Sequence, residues 1–294
     1  MDEIPLKTPG ATVNATAGKR RSGLRAAAGH GRRWSRRGFT LVEMLAVIVI
    51  IGILVALISA AAVAARRQAW IAAIGAEIGQ LDQAVRTYKA NFGDYPPDFT
   101  DAAATQRHIR RAFPRYTGAN PPQQLPANAD PTTALPFWLA GPAPDHNGFC
   151  ADPTNPFDTT INPSRIPPLF DFQTERWKRA AFKYYPPPAK GMSSRDDPYI
   201  YFRAKVLNTG EMGYDATLQV VNNVNGGPVV PCRDMRVVTA MGSAHCNPQS
   251  FQIRCAGLDR KYGNQEHFPP DSRYPDHQYD DMSNFCRGTF ESAM

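Results

Sequence analysis

The chain has 294 residues, 43% of them hydrophobic, which is enough for a folded core and excludes a disordered protein. Its formal net charge of +7 lies entirely in residues 1–38, where nine Lys or Arg accompany only Asp2 and Glu3. The other 256 residues are neutral overall. Because nucleic-acid binding depends on basic side chains that neutralise phosphates, we expect no nucleic-acid partner.

The first candidate element is a membrane span. Residues 1–38 are polar, and we predict no fold for them, but residues 44–65 carry no charge. These 22 residues, at about 1.5 Å each, can cross the ~30 Å hydrocarbon core of a bilayer. Arginines precede the span, so the positive-inside rule keeps its N-terminal end cytoplasmic and exports everything after residue 65. The alternative is a secretory signal peptide cleaved near the alanines at 60–62.

The helical pattern continues beyond the span. Apolar residues recur at alternating steps of three and four, which places them on one stripe of a helix: Ile71, Ile74, Ile78, Leu81, Val85, Tyr88 and Phe92. The polar residues between them, including Glu77, predict a solvated opposite face. No proline occurs from residue 10 to residue 95, so we predict one helix over residues 39–92. Residues 39–65 form its transmembrane half and residues 66–95 its amphipathic half; a coiled coil is the alternative, but two heptads are short for one.

Residues 96–198 hold 19 of the 27 prolines, which predicts a loop-rich region with few long regular elements. The exception is residues 171–185, where aromatic and small residues alternate with basic ones in a short helix-like pattern. In that pattern Arg176 lies on the outer face.

Short runs of β-branched and aromatic residues follow, separated by Gly, Asn and Pro, at 199–202, 217–221, 236–239 and 251–254. They predict a C-terminal antiparallel sheet within residues 199–294. One amphipathic helix followed by consecutive strands is typical of an α+β fold with the helix lying across one face of the sheet.

Residues 38–45, Gly-Phe-Thr-Leu-Val-Glu-Met-Leu, follow two arginines and open the apolar span. This tract resembles the N-terminal motif of type IV prepilins and type II secretion pseudopilins. The resemblance implies that prepilin peptidase removes residues 1–38 by cutting between Gly38 and Phe39 and methylates the new amino group of Phe39. It also implies that Glu43, a carboxylate at the membrane edge, pairs with the Phe39 amine of a neighbouring subunit during assembly. One departure is Ala60, where members of the family commonly have proline.

Three later segments resemble the major pseudopilins of type II secretion: the Asp-Pro strand entry at 197–201, a last strand and turn at 251–259, and a closing segment at 280–285. The resemblance implies a calcium site between the last two, with Asp259 and Asp281 as first choices and Asp280 as a weaker one. Calcium takes six to eight oxygen ligands, which a loop rich in Asp and carbonyls supplies.

The chain has five cysteines and no C-x-x-C pair, so a zinc site is not indicated, whereas disulfides are allowed on the oxidising side of the membrane. Cys255 and Cys286 flank the two segments of the expected calcium loop, and we expect a disulfide between them. The odd number leaves at least one thiol unpaired within a monomer.

These expectations describe a structural protein without enzymatic activity, since no catalytic constellation stands out. We expect a subunit of a type II secretion pseudopilus or related type IV pilus-like filament, single-pass in the inner membrane with a periplasmic C-terminal domain. Its partners would be copies of itself, other pseudopilins, prepilin peptidase and the inner-membrane assembly platform. The alternative is a minor or tip pilin, or a competence pseudopilin, whose inserted loops bind a ligand or DNA.

Overall fold

The structure is a computed structural model that describes residues 38–144, 146–160, 164–187, 197–222, 228–239, 242–262, 267–268 and 280–293. The chain divides into two compact units, Met1–Leu54 and Val55–Met294. Except for Gly38, the predicted leader at residues 1–38 lies outside the described residues. Three α-helices are described: α1 (Leu41–Phe92), α2 (Ala102–Ala112) and α3 (Ala134–Ala140).

The described strands are short. They are β1 (Phe149–Cys150), β2 (Arg165–Ile166), β3 (Trp177–Lys178), β4 (Lys183–Tyr184), β5 (Ile200–Arg203), β6 (Lys205–Val206), β7 (Met212–Gly213), β8 (Arg233–Thr239), β9 (Gly242–His245), β10 (Phe251–Cys255), β11 (His267–Phe268) and β12 (Met282–Ser283). Two sheets have three strands, in the orders β12-β10-β5 and β11-β8-β9, and three hairpins pair β1 with β2, β3 with β4 and β6 with β7. All described pairings are antiparallel except that of β11 with β8. This confirms the predicted α+β class.

Helix α1 runs for 52 residues, and its first half is apolar and exposed on every side. In the part of the chain that the structure describes, it is the one helix long and apolar enough to cross a membrane. The helix begins at Leu41 rather than at Phe39, because Thr40 supplies the N-terminal cap. It ends at Phe92, where Gly93 adopts a φ of 80° and donates its N–H to the Lys89 carbonyl at 2.8 Å.

The second half of α1 packs with the sheet β12-β10-β5. Its stripe residues are buried in one cluster with side chains from one face of that sheet: Ile74, Ile78, Leu81, Val85 and Tyr88 from the helix, and Tyr201, Phe251, Ile253, Cys255 and Met282 from the strands. Trp138 of α3 closes the same cluster. The predicted amphipathic half is therefore packed on its own domain.

The other face of this sheet is buried as well. Ile200 and Phe202 alternate with the helix-facing residues of β5 and join a second apolar cluster. In β10 the corresponding positions are Gln252 and Arg254, both 0% exposed. Since buried polar side chains require hydrogen-bond partners, the groups that pack on this face of the sheet must bind Gln252 and Arg254.

Two local predictions were wrong. Residues 171–185 form the hairpin β3-β4 with 3₁₀ turns instead of an α-helix, and Arg176 points inward to an acid on α1. Residues 217–221 form a turn in which the Asp215 carboxylate accepts the N–H of Thr217 at 3.0 Å, so only Val221 pairs, with Val229. At residues 217–221 the Asp215 side chain competes with strand pairing for the backbone. At Arg176 the hydrogen-bond partner is distant in the sequence, so the local pattern did not indicate it. The proline-rich region also contains α2 and α3, which the proline count did not indicate.

Candidate functional site

The predicted processing site lies in an exposed, non-helical segment before α1. Gly38 and Phe39 are both exposed, and 76% of Phe39 is accessible. No heavy atom lies within 4 Å of the position that a Cβ would take at Gly38. A peptide bond in such a segment can enter a peptidase without unwinding the helix.

Thr40 and Glu43 form a reciprocal cap on the first turn of α1. The Glu43 carboxylate accepts the N–H of Thr40 at 2.8 Å and its hydroxyl at 2.9 Å, while Thr40 Oγ1 accepts the N–H of Glu43 at 3.2 Å. This is the capping box, in which Ser or Thr precedes Glu by three residues. Sequence reasoning missed the role of Thr40, although the Thr-x-x-Glu spacing carried the signal. The pairing of Glu43 with a neighbouring Phe39 amine stays a prediction.

A second glutamate, Glu77, lies on α1 within the folded unit and is 7% exposed. Arg176 binds both of its carboxylate oxygens, with Nη1 to Oε2 at 3.0 Å. Tyr184 donates its hydroxyl to Oε1 at 2.6 Å and Tyr199 to Oε2 at 2.7 Å. The prediction of a solvated face at Glu77 was therefore wrong. Its partner Arg176 lies 99 residues away, so no local pattern could have revealed the pair.

The acidic residues of the expected calcium loop come together around a tight turn. Asp280 Oδ2 accepts the N–H of Leu258 at 2.6 Å and that of Asp259 at 2.7 Å. Gly257 has a φ of 62°, and a Cβ there would lie 2.0 Å from the Asp280 carbonyl oxygen. Only glycine admits this approach, which explains why the turn has Gly between Cys255 and Asp259.

Asp281 is held differently. Its Oδ2 accepts a hydrogen bond from Arg254 Nη2 at 2.9 Å, and both side chains are 0% exposed. Burial raises the pKa of Asp281 well above its usual value despite Arg254, and the negative charges of Asp280 and Asp259 raise it further. Burial, with the charge of Asp259, also raises the pKa of Asp280 to about 6. Three carboxylates thus share one small region.

These residues fit a calcium ion in part. Asp281 Oδ1 is buried without a hydrogen-bond partner among the described residues, and a cation would relieve the repulsion between the carboxylates. Asp281 Oδ2 and Asp280 Oδ2 are already engaged by Arg254 and by backbone amides. Within the described ranges, no three His, Cys, Asp or Glu side chains are placed to hold a metal ion. Most of the polar segment between the two halves of the loop lies outside the described residues.

The structure does not bring Cys255 and Cys286 together for the expected disulfide. None of the five cysteines is bonded to another in it. Cys255 faces α1 in the first core cluster, whereas Cys286 packs against a third cluster and directs its thiol at the carbonyls of Arg287 and Thr289. Flanking positions in the sequence did not indicate the face of β10 to which Cys255 points. The structure instead places Cys232 and Cys246 together in the third cluster.

A cavity of about 550 Å³ lies between α2 and the strands β5 to β7. Asp94, Arg111, Arg203 and His108 are among its lining residues. The His108 ring is bound through Nε2 to the Tyr88 hydroxyl at 2.9 Å, while its buried Nδ1 has no hydrogen-bond partner among the described residues. Burial, together with the charge of Arg203, lowers the pKa of His108 to about 3 and keeps the ring neutral.

Comparison with known proteins assigns the N-terminal motif. The family model for the prokaryotic N-terminal methylation motif matches residues 35–59, which include the exposed segment and the capped start of α1. This is the prepilin signature of type IV pilins and pseudopilins. No curated protein and no solved structure matches the chain.

The chain thus carries the N-terminal signature of type IV pilin-like precursors, the class that prepilin peptidase processes. Its motif is that of structural proteins rather than enzymes, and the long apolar helix α1 fits a membrane-anchored pilin.

Proposed function

We propose that the chain is a structural subunit of a type II secretion pseudopilus or a related type IV pilus-like filament. The observation that carries the proposal is the first half of α1, whose apolar side chains are exposed on every side next to a processing motif. Such a surface requires lipid before assembly and other helices afterwards. Copies of this chain, other pseudopilins and the inner-membrane assembly platform are the proposed partners, with the folded unit in the periplasm.

Mass spectrometry of the mature N-terminus tests the processing step. We expect a mature chain that begins at N-methylated Phe39, because the motif places the cut after Gly38. Mature membrane-extracted protein that still carries residues 1–38 would contradict the proposal. A secretory signal peptide would instead leave an N-terminus near residue 63.

The role of Glu43 in assembly is tested by Glu43→Val. We expect normal cleavage and membrane insertion but loss of filaments, because the variant removes the partner proposed for the Phe39 amine of the neighbouring subunit. Thr40→Val is the matched control, since it also removes capping-box hydrogen bonds but keeps the carboxylate. Filaments in sheared cell fractions are measured by immunoblot. Normal assembly of Glu43→Val, or equal failure of both variants, would refute the role.

We also propose that the acidic loop binds calcium, with the unpartnered oxygen of Asp281 as the first ligand. Asp259 and Asp280 would have to move to the ion as it binds, since the described side chains are not grouped around one metal position. Calcium should then raise the melting temperature of the purified protein relative to a chelator, and Asp259→Ala should abolish the difference. The exposed Asp171→Asn should retain it. Equal melting temperatures in calcium and chelator would exclude the site.

The cavity beside His108 favours a second candidate function, that of a minor or tip pilin whose inserted loops bind a ligand. The lining includes arginines and aspartates in similar number, so a polar ligand fits better than an apolar one. Subunit abundance separates the two functions: a main filament subunit should greatly exceed the other pilins of the same cell, and a tip protein should be scarce.

A further inference from the structure

Cys232 and Cys246 face each other at the open end of the hairpin β8-β9. The strand register pairs Arg233 with His245 and Asp234 with Ala244, so the two cysteines are the next opposed residues. The N–H of Cys246 donates to the Cys232 carbonyl at 3.0 Å. Directly opposed residues in antiparallel strands have Cα atoms about 4.5–5.5 Å apart, which lies within the ~4.4–6.8 Å range that a disulfide spans.

Gln252 of β10 holds this pair in place. Its Oε1 accepts the N–H of Cys232 at 2.7 Å, and its Nε2 donates to the carbonyls of Cys232 and Cys246 at 2.9 and 2.7 Å. Gln252 is 0% exposed, so these hydrogen bonds are shielded from water. One side chain from the central strand of the first sheet therefore fixes the backbone of both cysteines.

The two side chains point into the same apolar cluster, with Phe268 and Phe290. Cys232 is 0% exposed and Cys246 is 7% exposed. The neighbouring Cys232 thiol, together with burial, raises the pKa of Cys246. The two cysteines thus lie in one buried cluster and are almost out of reach of solvent once the unit has folded.

We propose that Cys232 and Cys246 form an intramolecular disulfide that closes a 15-residue loop around the hairpin. The inference rests on the proposed export of the folded unit, because disulfides persist on the oxidising side of a membrane.

The oxidation requires an acceptor for two electrons, and a disulfide-bonded oxidant takes them. One cysteine thiolate attacks a sulfur of the oxidant and releases its first thiol. The second thiolate then attacks the mixed disulfide and releases the second thiol, so two protons and two electrons leave the protein and the oxidant disulfide becomes two thiols.

The pairing leaves three of the five cysteines as free thiols. Cys150 and Cys255 are buried in other places, and Cys286 lies at the edge of the same cluster without the opposed strand register. Cys286 is therefore the competing partner that an experiment must distinguish.

Peptide mapping of the full chain, purified from membranes under alkylating, non-reducing conditions, makes that distinction. Trypsin separates the cysteines into peptides 206–233, 237–254, 255–260 and 274–287, with Cys150 in 116–165. We expect a disulfide-linked pair of 206–233 with 237–254. Linkage of 206–233 to 274–287 overturns the proposal. A second sample is reduced, unfolded in urea and refolded in a mixture of oxidised and reduced glutathione, so that the oxidant reaches both thiols, and unlinked Cys232 and Cys246 after refolding also overturn it. If the pair is free in cells but forms with glutathione, the disulfide is supported and the proposed export fails.

Thermal melting gives a second measurement. Dithiothreitol should lower the Tm of the wild-type protein by roughly 5–10 °C, because opening a loop of this size removes a constraint on the unfolded chain. It should leave the Cys232→Ser/Cys246→Ser variant unchanged. Cys255→Ser is the control, a buried thiol outside the pair that should keep the dithiothreitol response. An unchanged wild-type Tm would refute the disulfide even if a variant fails to fold.

Discussion

At the scale of single residues, two glutamates of α1 show opposite ways of holding a carboxylate. Glu43 is bound within its own helical turn by Thr40, and Glu77 is bound by groups distant in the sequence. A buried ion pair gives little net stability when it forms, but removing one partner leaves the other charged and unsatisfied. Glu77 and Arg176 are that kind of pair, with side chains 9% and 8% exposed.

Glu77→Gln should therefore lower the free energy of unfolding by about 3 kcal/mol, since the Arg176 guanidinium stays buried without its counter-charge. Glu291→Gln is the matched control: Glu291 pairs with Arg67 at 3.2 Å, but both side chains are more than half exposed. We expect the control to change stability by less than about 0.5 kcal/mol. Urea unfolding of the purified proteins gives both values, and similar losses in the two variants would contradict the assignment.

At the scale of elements, the sequence predicts the helix and strands whose residues follow a regular apolar pattern. The continuity of α1 and its end at Phe92 followed from the absence of proline and from Gly93, and β5 and β10 from their apolar runs, whereas the start of α1 at Leu41 did not follow. The hairpin at 171–185 did not follow, because its shape depends on Glu77 binding Arg176 across the fold.

The site residues divide in the same way. The processing motif is a contiguous run of residues, so it is recognised directly in the sequence. Residue spacing does not predict the pairing of Glu77 with Arg176. It does not predict that Cys232 lies opposite Cys246 either, because that placement depends on the strand register and on the Gln252 hydrogen bonds.

Two glycines test the contrast between a turn and a helix. Gly257→Ala should destabilise the protein by about 1–3 kcal/mol, because the new Cβ meets the Asp280 carbonyl and the positive φ disfavours alanine. Gly79→Ala should stabilise it by about 0.5–1 kcal/mol, since this helical position is exposed and has no heavy atom within 4 Å. Thermal melting of unassembled protein compares them, and a neutral Gly257→Ala would show that the turn relaxes.

At the scale of the whole molecule, buried groups give the pH dependence of stability opposing signs. Asp280 has a folded pKa of about 6, above its usual value, so its contribution is complete below pH 3.8 and is lost as pH rises through about 6. His108 and His245 have pKa values lowered to about 3 and about 4, chiefly by burial, so their contributions are lost as pH falls below 6.5. The pH dependence of the wild-type stability would therefore not separate the contribution of Asp280 from those of the two histidines.

Comparison of the wild type with Asp280→Asn isolates the carboxyl group. Between pH 4 and pH 7 the variant should gain about 2 kcal/mol relative to the wild type, because asparagine cannot acquire the buried charge. Asp171→Asn, at an exposed position, should follow the wild type. The measurement is urea unfolding at four pH values in chelator, and parallel curves for Asp280→Asn and the wild type would refute the assignment.

The hydrogen bonds at Glu77 also have a mechanical consequence. The contacts of an apolar stripe with a sheet are non-directional, whereas a hydrogen bond breaks as soon as its two atoms are drawn apart. Three side chains donate hydrogen bonds to the Glu77 carboxylate: Arg176, Tyr184 and Tyr199. Tension applied along α1 would therefore act on all three sets of hydrogen bonds together. In a filament under load, this one side chain would anchor the helix against being drawn out of its domain.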